Sequence, residues 1–435
     1  MRKKLSFLLV GLMLVSMMGC TAADQPTSKA KSGEVAEIFF WDMTWGPADL
    51  YKAAAGGIVG RFNDEHPGIN VSYEMRAWDN YYQDYLTAVT SGSAPDVTNG
   101  GFTQSVQYAV MDELIDLDSI VEDWKESGFY DTFPAGSFEL HQYEGKQVGI
   151  PWIQDPRMIV YNKEIFEQAG ITKLPETWDE FYEALVAVKE NTGVTPFAMA
   201  GIGTHSFQEM VYLLLSAGAG LTDAQGNANF NSPEAIKALE WVGKMCDEGL
   251  IAAGSAGYQA QDLDSLFATG QLAVMISAIP RGAMTDEFID KIGVMPPFTM
   301  KAGMEKRGLT FVNPMVAYKQ GKYPDASREF IKWYIENSRD LFTKGHAGFS
   351  ASSAVNDDPF FRENPVYSQI LDNVLPYSTV PTWPTPNLYP AFSQIEGELY
   401  AGMALAEVLS GGRDFEAIAN KYNDMIAQAI TDFAQ

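Results

Sequence analysis

Residues 149–170 read GIPWIQDPRMIVYNKEIFEQAG, and the prolines in this stretch are the best clue to how the chain is organised. Pro151 and Pro156 bracket an aromatic residue and an acid, and the apolar run MIVY follows before a helix signal. Proline fixes φ and removes a backbone donor, so these prolines indicate strand ends or a chain crossing rather than the middle of a sheet. Two interpretations are open here: a rigid site that presents Trp152 and Asp155, or an ordinary loop between two elements.

The N-terminal end has the pattern of an export signal. MRKK is basic, and LSFLLVGLMLVSMMG is apolar but short for a membrane span, which predicts a signal peptide over 1–19. The run ends at Cys20 and resembles the bacterial lipobox, with Met17 and Met18 where Leu and Ala or Ser are usual. We expect Cys20 to be lipidated and 20–33 to be a tether; simple secretion with cleavage nearby is the alternative.

The composition excludes several classes of protein. The chain carries 30 basic and 56 acidic residues, a formal net charge of −26 at pH 7, so nucleic acid and anionic lipid headgroups repel it. With 46% hydrophobic residues and more than 400 residues in all, it is expected to form two domains. Besides Cys20 there is one cysteine, Cys246, so no internal disulfide forms. Cys246 is expected on the core face of a helix, as a buried hydrophobe rather than a reactive thiol.

Short apolar strands alternate with amphipathic helices, which is typical of an α/β protein. A strand is expected over 37–42, and Thr177 with Glu180 predicts the capping box of a helix. Ser232-Pro233 predicts the start of another helix. The apolar stripe expected on the helix after Thr177 consists of Trp178, Phe181, Leu185 and Val188.

Two regions break this alternation. GVMPPFTMKAGMEKRGL (293–309) is rich in glycine and proline, and YSTVPTWPTPNLYP (377–390) places four prolines around Trp383 and Tyr389. Prolines stiffen a loop, and a stiff loop with exposed rings suits a binding surface. An ordinary packing lid is the alternative interpretation.

Catalytic and metal-binding motifs are missing from the sequence. The four histidines do not have the spacing of a metal pair, and there is no nucleophile elbow, phosphate-binding loop or dinucleotide fingerprint. A carboxylate pair for glycoside hydrolysis is uninformative here, because 56 acids guarantee close pairs somewhere. We therefore predict a protein that is not an enzyme and has neither metal nor cofactor.

Five motifs occur in a fixed order along the chain: FNDEHPGINV (62–71), SGSAPDV (91–97), GIPW with YNKEIFEQAGI (149–171), LPETWDEF (174–181) and FATGQLAVMIS (267–277). Together they resemble the extracellular solute-binding proteins of carbohydrate ABC importers, the group that contains maltose-binding protein. The most specific part is YNK before a helix followed by the Pro-x-Thr-Trp-Asp-Glu capping box. The resemblance extends over nearly the whole chain after the tether.

The resemblance implies two α/β lobes, a ligand cleft between them and a hinge of several crossing segments. Lobe 1 would hold 34–150 and return over about 306–354. Lobe 2 would hold 151–305 and return over about 355–435. The segment before YNK would be a crossing, which favours Trp152 and Asp155 as ligand-facing groups.

The function implied by the resemblance is that of a monomeric sugar-binding receptor, lipid-anchored on the outer face of the cell membrane. It would deliver an oligosaccharide or glycoside to the permease subunits of an ABC importer. Another solute, such as a polyol, a glycerophosphodiester or a uronate, is the first alternative. A secreted polysaccharide-degrading enzyme is the second.

The other ligand-binding positions that the resemblance implies come from local matches to the family. They are Asp42, Trp45, Asn99, Thr103, Gln104, His205, Arg281, Phe349, Trp383 and Tyr389. Relatives often carry Gly-Trp or Pro-Trp near the position of Arg281, which here either contacts ligand or pairs with an acid. We expect core positions for Trp41, Trp178, Trp241 and Trp333. The sequence does not decide whether Trp78 lies in the core or in the cleft.

Overall fold

The structure is a computed structural model, and it describes residues 34–78, 80–385 and 387–433. The predicted signal peptide and Cys20 lie outside the described residues. Within the described part, no helix is long and apolar enough to cross a membrane.

Thirteen strands are found in the described residues. In chain order they are β1 Ala36–Met43, β2 Ile69–Arg76, β3 Val97–Asn99, β4 Gln142–Tyr143, β5 Lys146–Gln147, β6 Ile150–Pro156, β7 Met158–Asn162, β8 Thr195–Ala198, β9 Leu272–Ser277, β10 Ile292–Met295, β11 Gly308–Ala317, β12 Phe349–Ser350 and β13 Ser378–Thr379.

Seventeen α-helices accompany these strands over the same described ranges. They are α1 Ala48–Glu65, α2 Tyr81–Thr90, α3 Gln104–Val110, α4 Asp118–Ser127, α5 Lys163–Gln168, α6 Trp178–Thr192, α7 Thr204–Ala217, α8 Pro233–Asp247, α9 Ala260–Ala268, α10 Pro324–Glu336, α11 Arg339–Thr343, α12 Ser353–Asn356, α13 Pro359–Glu363, α14 Pro365–Asn373, α15 Ala391–Gly397, α16 Tyr400–Leu409 and α17 Phe415–Phe433.

Two large sheets hold most of the strands, one in each lobe, and β4 pairs with β5 in a separate two-stranded sheet. The first sheet runs β2-β1-β3-β11-β6-β12, with β13 beside the start of β11. In it β1 is parallel to β2 and β3, whereas β11 is antiparallel to β3 and β6. The second sheet runs β10-β7-β9-β8; α14, α16 and α17 complete the lobe that contains it by packing on β10, α7 and α8, and α15 packs on α17. The α/β prediction is therefore confirmed.

The first passage of the chain from the first sheet to the second takes place at one residue, Arg157. Ile150–Pro156 pairs with β11 and β12 in the first sheet, and Met158–Asn162 pairs with β9 and β10 in the second. The lobe limits expected from the sequence stay a proposal. The pairing favours ending the first segment of lobe 1 at Pro156 rather than at residue 150.

The predicted helix cap and core stripe are present. Thr177 accepts a hydrogen bond from the backbone N–H of Glu180, and Ser232 accepts one from Ala235. Trp178 and Trp241 are buried and stack with ring centroids 4.9 Å apart, as expected for core residues. The other three residues of the α6 stripe, Phe181, Leu185 and Val188, are also buried. Cys246 is half-buried and is a free thiol.

Candidate functional site

Four aromatic side chains meet where strands of the first sheet end, and we call them the aromatic ledge: Trp45, Trp78, Tyr81 and Trp152. The Trp45 ring lies edge-on to Trp78 at 4.7 Å and to Trp152 at 5.7 Å, and Trp78 lies 5.2 Å from Tyr81. Trp45 follows β1 and Trp78 follows β2, so both stand at the carboxyl ends of parallel strands, where ligands of open α/β sheets bind. Trp78 is 40% exposed, while Trp45 and Trp152 are buried.

Hydrogen bonds from the indole groups of Trp45 and Trp78 hold these two rings of the aromatic ledge in place. Asn99 Nδ2 donates to Asp42 Oδ1 at 2.7 Å, and Asn99 Oδ1 accepts from Trp45 Nε1 at 3.3 Å and from the backbone N–H of Met43 at 2.7 Å. The indole of Trp78 donates to the Thr44 carbonyl at 2.9 Å. A chain of bonds therefore runs from a buried carboxyl group to a ring of the ledge.

Asp42 is fully buried and has no face towards solvent. Tyr51 Oη donates to its Oδ1 at 2.8 Å, and Tyr334 Oη donates to its Oδ2 at 3.3 Å. Burial raises the pKa of Asp42 to about 7, although the hydrogen bonds from Asn99 and both tyrosines oppose the shift. This geometry favours a positioning role for Asp42 and Asn99 over the ligand contacts inferred for them from the sequence.

A charged group lies at the crossing itself. The buried guanidinium of Arg157 pairs with Asp155 Oδ1 at 2.8 Å through Nη1 and donates from Nε to Gln208 Oε1 at 2.7 Å. It also lies over the Phe311 ring, 5.2 Å from the centroid. Asp155 and Phe311 belong to the first sheet and Gln208 to α7, so Arg157 ties the two lobes together where they meet. The Asp155 side chain is 23% exposed and accessible to a ligand.

Two further titratable groups lie near this pair. His205 is half-buried at the start of α7, and burial lowers its pKa to about 4; the charge of Arg157 adds to that effect and Asp155 opposes it. His205 is therefore neutral at physiological pH. Glu396 lies on α15, and burial raises its pKa to about 7 while Arg157 opposes the shift.

Arg281 and Trp383 already have partners within the protein. Arg281 donates from Nε to the His346 carbonyl at 3.0 Å and from Nη2 to the Ala347 carbonyl at 2.8 Å. The guanidinium of Arg307 lies over the Trp383 ring, 4.1 Å from the ring centroid, and the Trp383 side chain is half-buried. Arg281 thus bonds to backbone rather than to an acid, and one face of the Trp383 ring is covered.

The remaining predicted positions are mostly buried. Gln104 donates to the Pro314 carbonyl at 2.9 Å, and Thr103 is buried beside it. Phe349 is fully buried and stacks on Phe361 at 5.3 Å. Tyr389 is half-buried, with its ring 5.7 Å from Phe392. Among the predicted positions, Trp45 and Trp152 therefore contact each other, Asp155 lies three residues further along β6, and Phe349 of β12 packs into an aromatic cluster of its own.

Sequence reasoning missed Arg157, Gln208, Tyr81 and Glu396. A signal for Arg157 was present, because it is a lone charge between two apolar strands. Glu396 and Tyr81 gave no such signal, since acids and tyrosines are abundant and only the folded chain brings these two near each other. Trp78, left open by the sequence, belongs to the ledge.

The profile of the bacterial extracellular solute-binding protein family matches residues 44–338. The chain belongs to this family. The resemblance drawn from the five ordered motifs is thereby confirmed at the level of the family. The relatives of this chain whose ligands are named are binding proteins, in keeping with the prediction that the protein is not an enzyme.

Two curated relatives show how far the similarity extends. The diacetylchitobiose-binding protein of Streptomyces coelicolor is 29% identical over 55% of this chain and 55% of its own length. The arabinooligosaccharide-binding protein of Halalkalibacterium halodurans is 26% identical over 70% of this chain and 64% of its own. The matched stretch thus spans between about half and two thirds of the length of these relatives.

Solved structures confirm the fold. A sugar transporter protein of Arthrobacter chlorophenolicus with bound laminaribiose aligns with a TM-score of 0.82 and 22% identity, covering 90% of this chain and 99% of that one. Maltose-bound MalE3 of T. maritima aligns with a TM-score of 0.75 and 20% identity, over 90% and 99% of the two chains. The two-lobed architecture expected from the sequence is shared with these proteins.

Proposed function

We propose that this protein is a sugar-binding receptor that delivers an oligosaccharide or glycoside to the permease subunits of an ABC importer. Family membership supports the role of a solute-binding receptor. The ligands named for similar proteins, diacetylchitobiose, arabinooligosaccharide and laminaribiose, support a sugar as the solute.

The observation that carries this proposal is the aromatic ledge beside a charged pair at the crossing. A sugar presents apolar C–H faces and a rim of hydroxyl groups, so it needs rings to stack on and polar groups of fixed direction. Trp78 offers an exposed ring, and the hydrogen bond of its indole to Thr44 holds that ring in place. Asp155 offers carboxylate oxygens that Arg157 keeps oriented.

We assign the ligand contacts to Trp78, Tyr81 and Asp155 on the first lobe and to His205, Trp383 and Tyr389 on the second. Asp42 and Asn99 hold Trp45 in place rather than touch the ligand. Preorganised groups lose less conformational freedom on binding, and the hydrogen bonds behind the ledge serve that purpose.

We further propose that the protein is exported, cleaved before Cys20 and diacylated there, so that it is held as a monomer on the outer face of the membrane. The motivation is the apolar run that ends at this cysteine. The polar tether after it gives the lobes room to reach a permease.

A thermal-shift screen against mono- and oligosaccharides tests the proposed function. A ligand at 100 times its dissociation constant adds about 2.7 kcal/mol to the free energy of unfolding, which gives a clear rise in Tm. We expect at least one sugar to raise Tm. No rise with any sugar, together with a rise for an amino acid or a peptide, would contradict the proposal.

A further inference from the structure

Arg281 joins the two lobes at a second point besides the crossing at Arg157. It comes shortly after β9 of the second sheet, whereas the carbonyl groups that it reaches lie just before β12 of the first sheet. Its Nε donates to the His346 carbonyl at 3.0 Å and its Nη2 to the Ala347 carbonyl at 2.8 Å. One guanidinium of the second lobe therefore donates to two successive carbonyl groups of the first.

The segment that accepts these bonds, residues 345–348, is attached to the first lobe. The Ala347 N–H donates to the Leu341 carbonyl of α11 at 3.0 Å, and α11 packs on α1. Gly46 also packs closely on the segment, because a Cβ built at Gly46 would lie 2.1 Å from one of its carbonyl oxygens. Gly46 directly follows Trp45, so the segment that Arg281 grips supports the turn that carries a ring of the aromatic ledge.

The backbone of this segment comes unusually close to the second lobe. A Cβ built at Gly348 would lie 3.2 Å from Ile279 Cδ1 and 3.3 Å from Arg281 Nη2, so a side chain there would force a neighbour to move. His346 has a φ of +51°, a conformation that residues other than glycine seldom adopt and that persists where surrounding contacts hold it. The two bonds from Arg281 are among the contacts that hold the segment in this shape.

From this geometry we propose that Arg281 is a positioning residue that holds the lobes in the closed arrangement and strengthens ligand binding without touching the ligand. Hinge closure around a ligand is a general property of periplasmic binding proteins. A contact between the lobes raises the fraction of molecules that are already competent to bind, and the apparent dissociation constant falls as that fraction rises. The guanidinium stays charged at every physiological pH, and hydrogen bonds from charged donors are the stronger ones. The effect on affinity rests on the proposed function, whereas the effect on closure does not.

Small-angle scattering of the ligand-free protein tests the effect on closure. Wild-type protein is compared with Arg281→Gln, which removes the charge, and with Arg281→Lys, which keeps it. Arg413→Gln is the matched control, because Arg413 also donates to two backbone carbonyl groups, those of Val408 and Gly412 at 2.8 Å, but both belong to its own lobe. Circular dichroism checks that each variant is folded. Calorimetry then measures the affinity of each protein for the tightest binder among laminaribiose, diacetylchitobiose and maltotriose.

We expect ligand-free Arg281→Gln to have a larger radius of gyration than the wild-type protein, because the lobes lose a bonded contact. Arg281→Lys should give an intermediate radius, since its ammonium group still donates to one carbonyl, and Arg413→Gln should match the wild type. Arg281→Gln should bind the sugar roughly tenfold more weakly, and saturation with that sugar should restore the wild-type radius.

The two possible failures are distinguishable. A ligand-free radius that Arg281→Gln leaves unchanged would overturn the inference, and weaker sugar binding by the same variant would then mean that Arg281 touches the ligand. A larger radius in a protein that binds none of the three sugars would support the role of Arg281 in closure and count against the proposed function instead.

Discussion

Replacing Asp42 with asparagine should change how the stability of the protein depends on pH. The carboxyl group is fully buried and accepts hydrogen bonds from Tyr51, Asn99 and Tyr334. Burial raises its pKa from 3.8 to about 7, so the folded protein keeps this proton to a higher pH than the unfolded chain does. The stabilising contribution of the group is therefore complete below about pH 4 and is lost as the pH rises towards 7.

The size of the effect follows from the shift in pKa. Each pKa unit corresponds to about 1.4 kcal/mol, so a rise from 3.8 to about 7 makes ionisation of Asp42 cost up to about 4 kcal/mol of folding free energy above pH 7. Asparagine has a similar shape to the protonated acid and does not ionise. The difference in unfolding free energy between Asp42→Asn and the wild-type protein should therefore move in favour of the variant by up to about 4 kcal/mol between pH 4 and pH 8.

Urea denaturation followed by tryptophan fluorescence measures this difference at several pH values. Taking the difference cancels the titration of all other groups, and Asp49→Asn, at an exposed position of α1, serves as the control. A difference that stays constant from pH 4 to pH 8 would refute the reasoning, because Asp42 would then be ionised throughout and held by its three donors.

Three further predictions concern the ledge, the crossing and the anchor. Trp78→Ala should weaken sugar binding by at least about tenfold in calorimetry, with little change in the Tm of the ligand-free protein. Trp241→Ala should lower the free energy of unfolding by about 3–5 kcal/mol in urea denaturation and leave the affinity for sugar unchanged. The reverse pattern would mean that Trp78 is the core residue and Trp241 the ligand contact. Asp155→Asn should weaken binding roughly tenfold, since it removes a charged acceptor, and unchanged affinity would exclude it as a contact. Cys20→Ala should abolish labelling by radioactive palmitate and release the protein from membranes, and labelling that persists would rule the anchor out.

Much of the fold could be predicted because its signals are local. The N-cap at Thr177 and the apolar stripe of α6 depend only on residues within a few turns of one another, and both are present; the Glu180 carboxylate accepts from the Glu176 N–H rather than closing the predicted capping box on Thr177. The change of sheet at Arg157 could not be placed from sequence, because it depends on which strands pair with Ile150–Pro156. That pairing joins β6 to β11 and β12, far along the chain.

The candidate site was predictable only in part. The segments after β1 and before β7 pointed to Trp45, Trp152 and Asp155; the structure brings the Trp45 and Trp152 rings into contact, with Asp155 three residues further along β6. Sequence cannot tell a side chain that faces a ligand from one that holds its neighbour, and Asp42 shows this: its position after a strand suggested a contact, but its oxygens are used by three buried donors. Glu396 was hidden among many acids, because only proximity in space distinguishes it.

The proposed function requires that a sugar bind between the lobes against the aromatic ledge. A crystal structure of the protein with the sugar that raises Tm most would test it most directly. We predict a sugar ring whose carbon atoms lie about 4 Å from the Trp78 ring, with a hydroxyl group in hydrogen-bond contact with Asp155. A sugar bound elsewhere on either lobe, with the Trp78 ring and Asp155 free of contacts to it, would contradict the account.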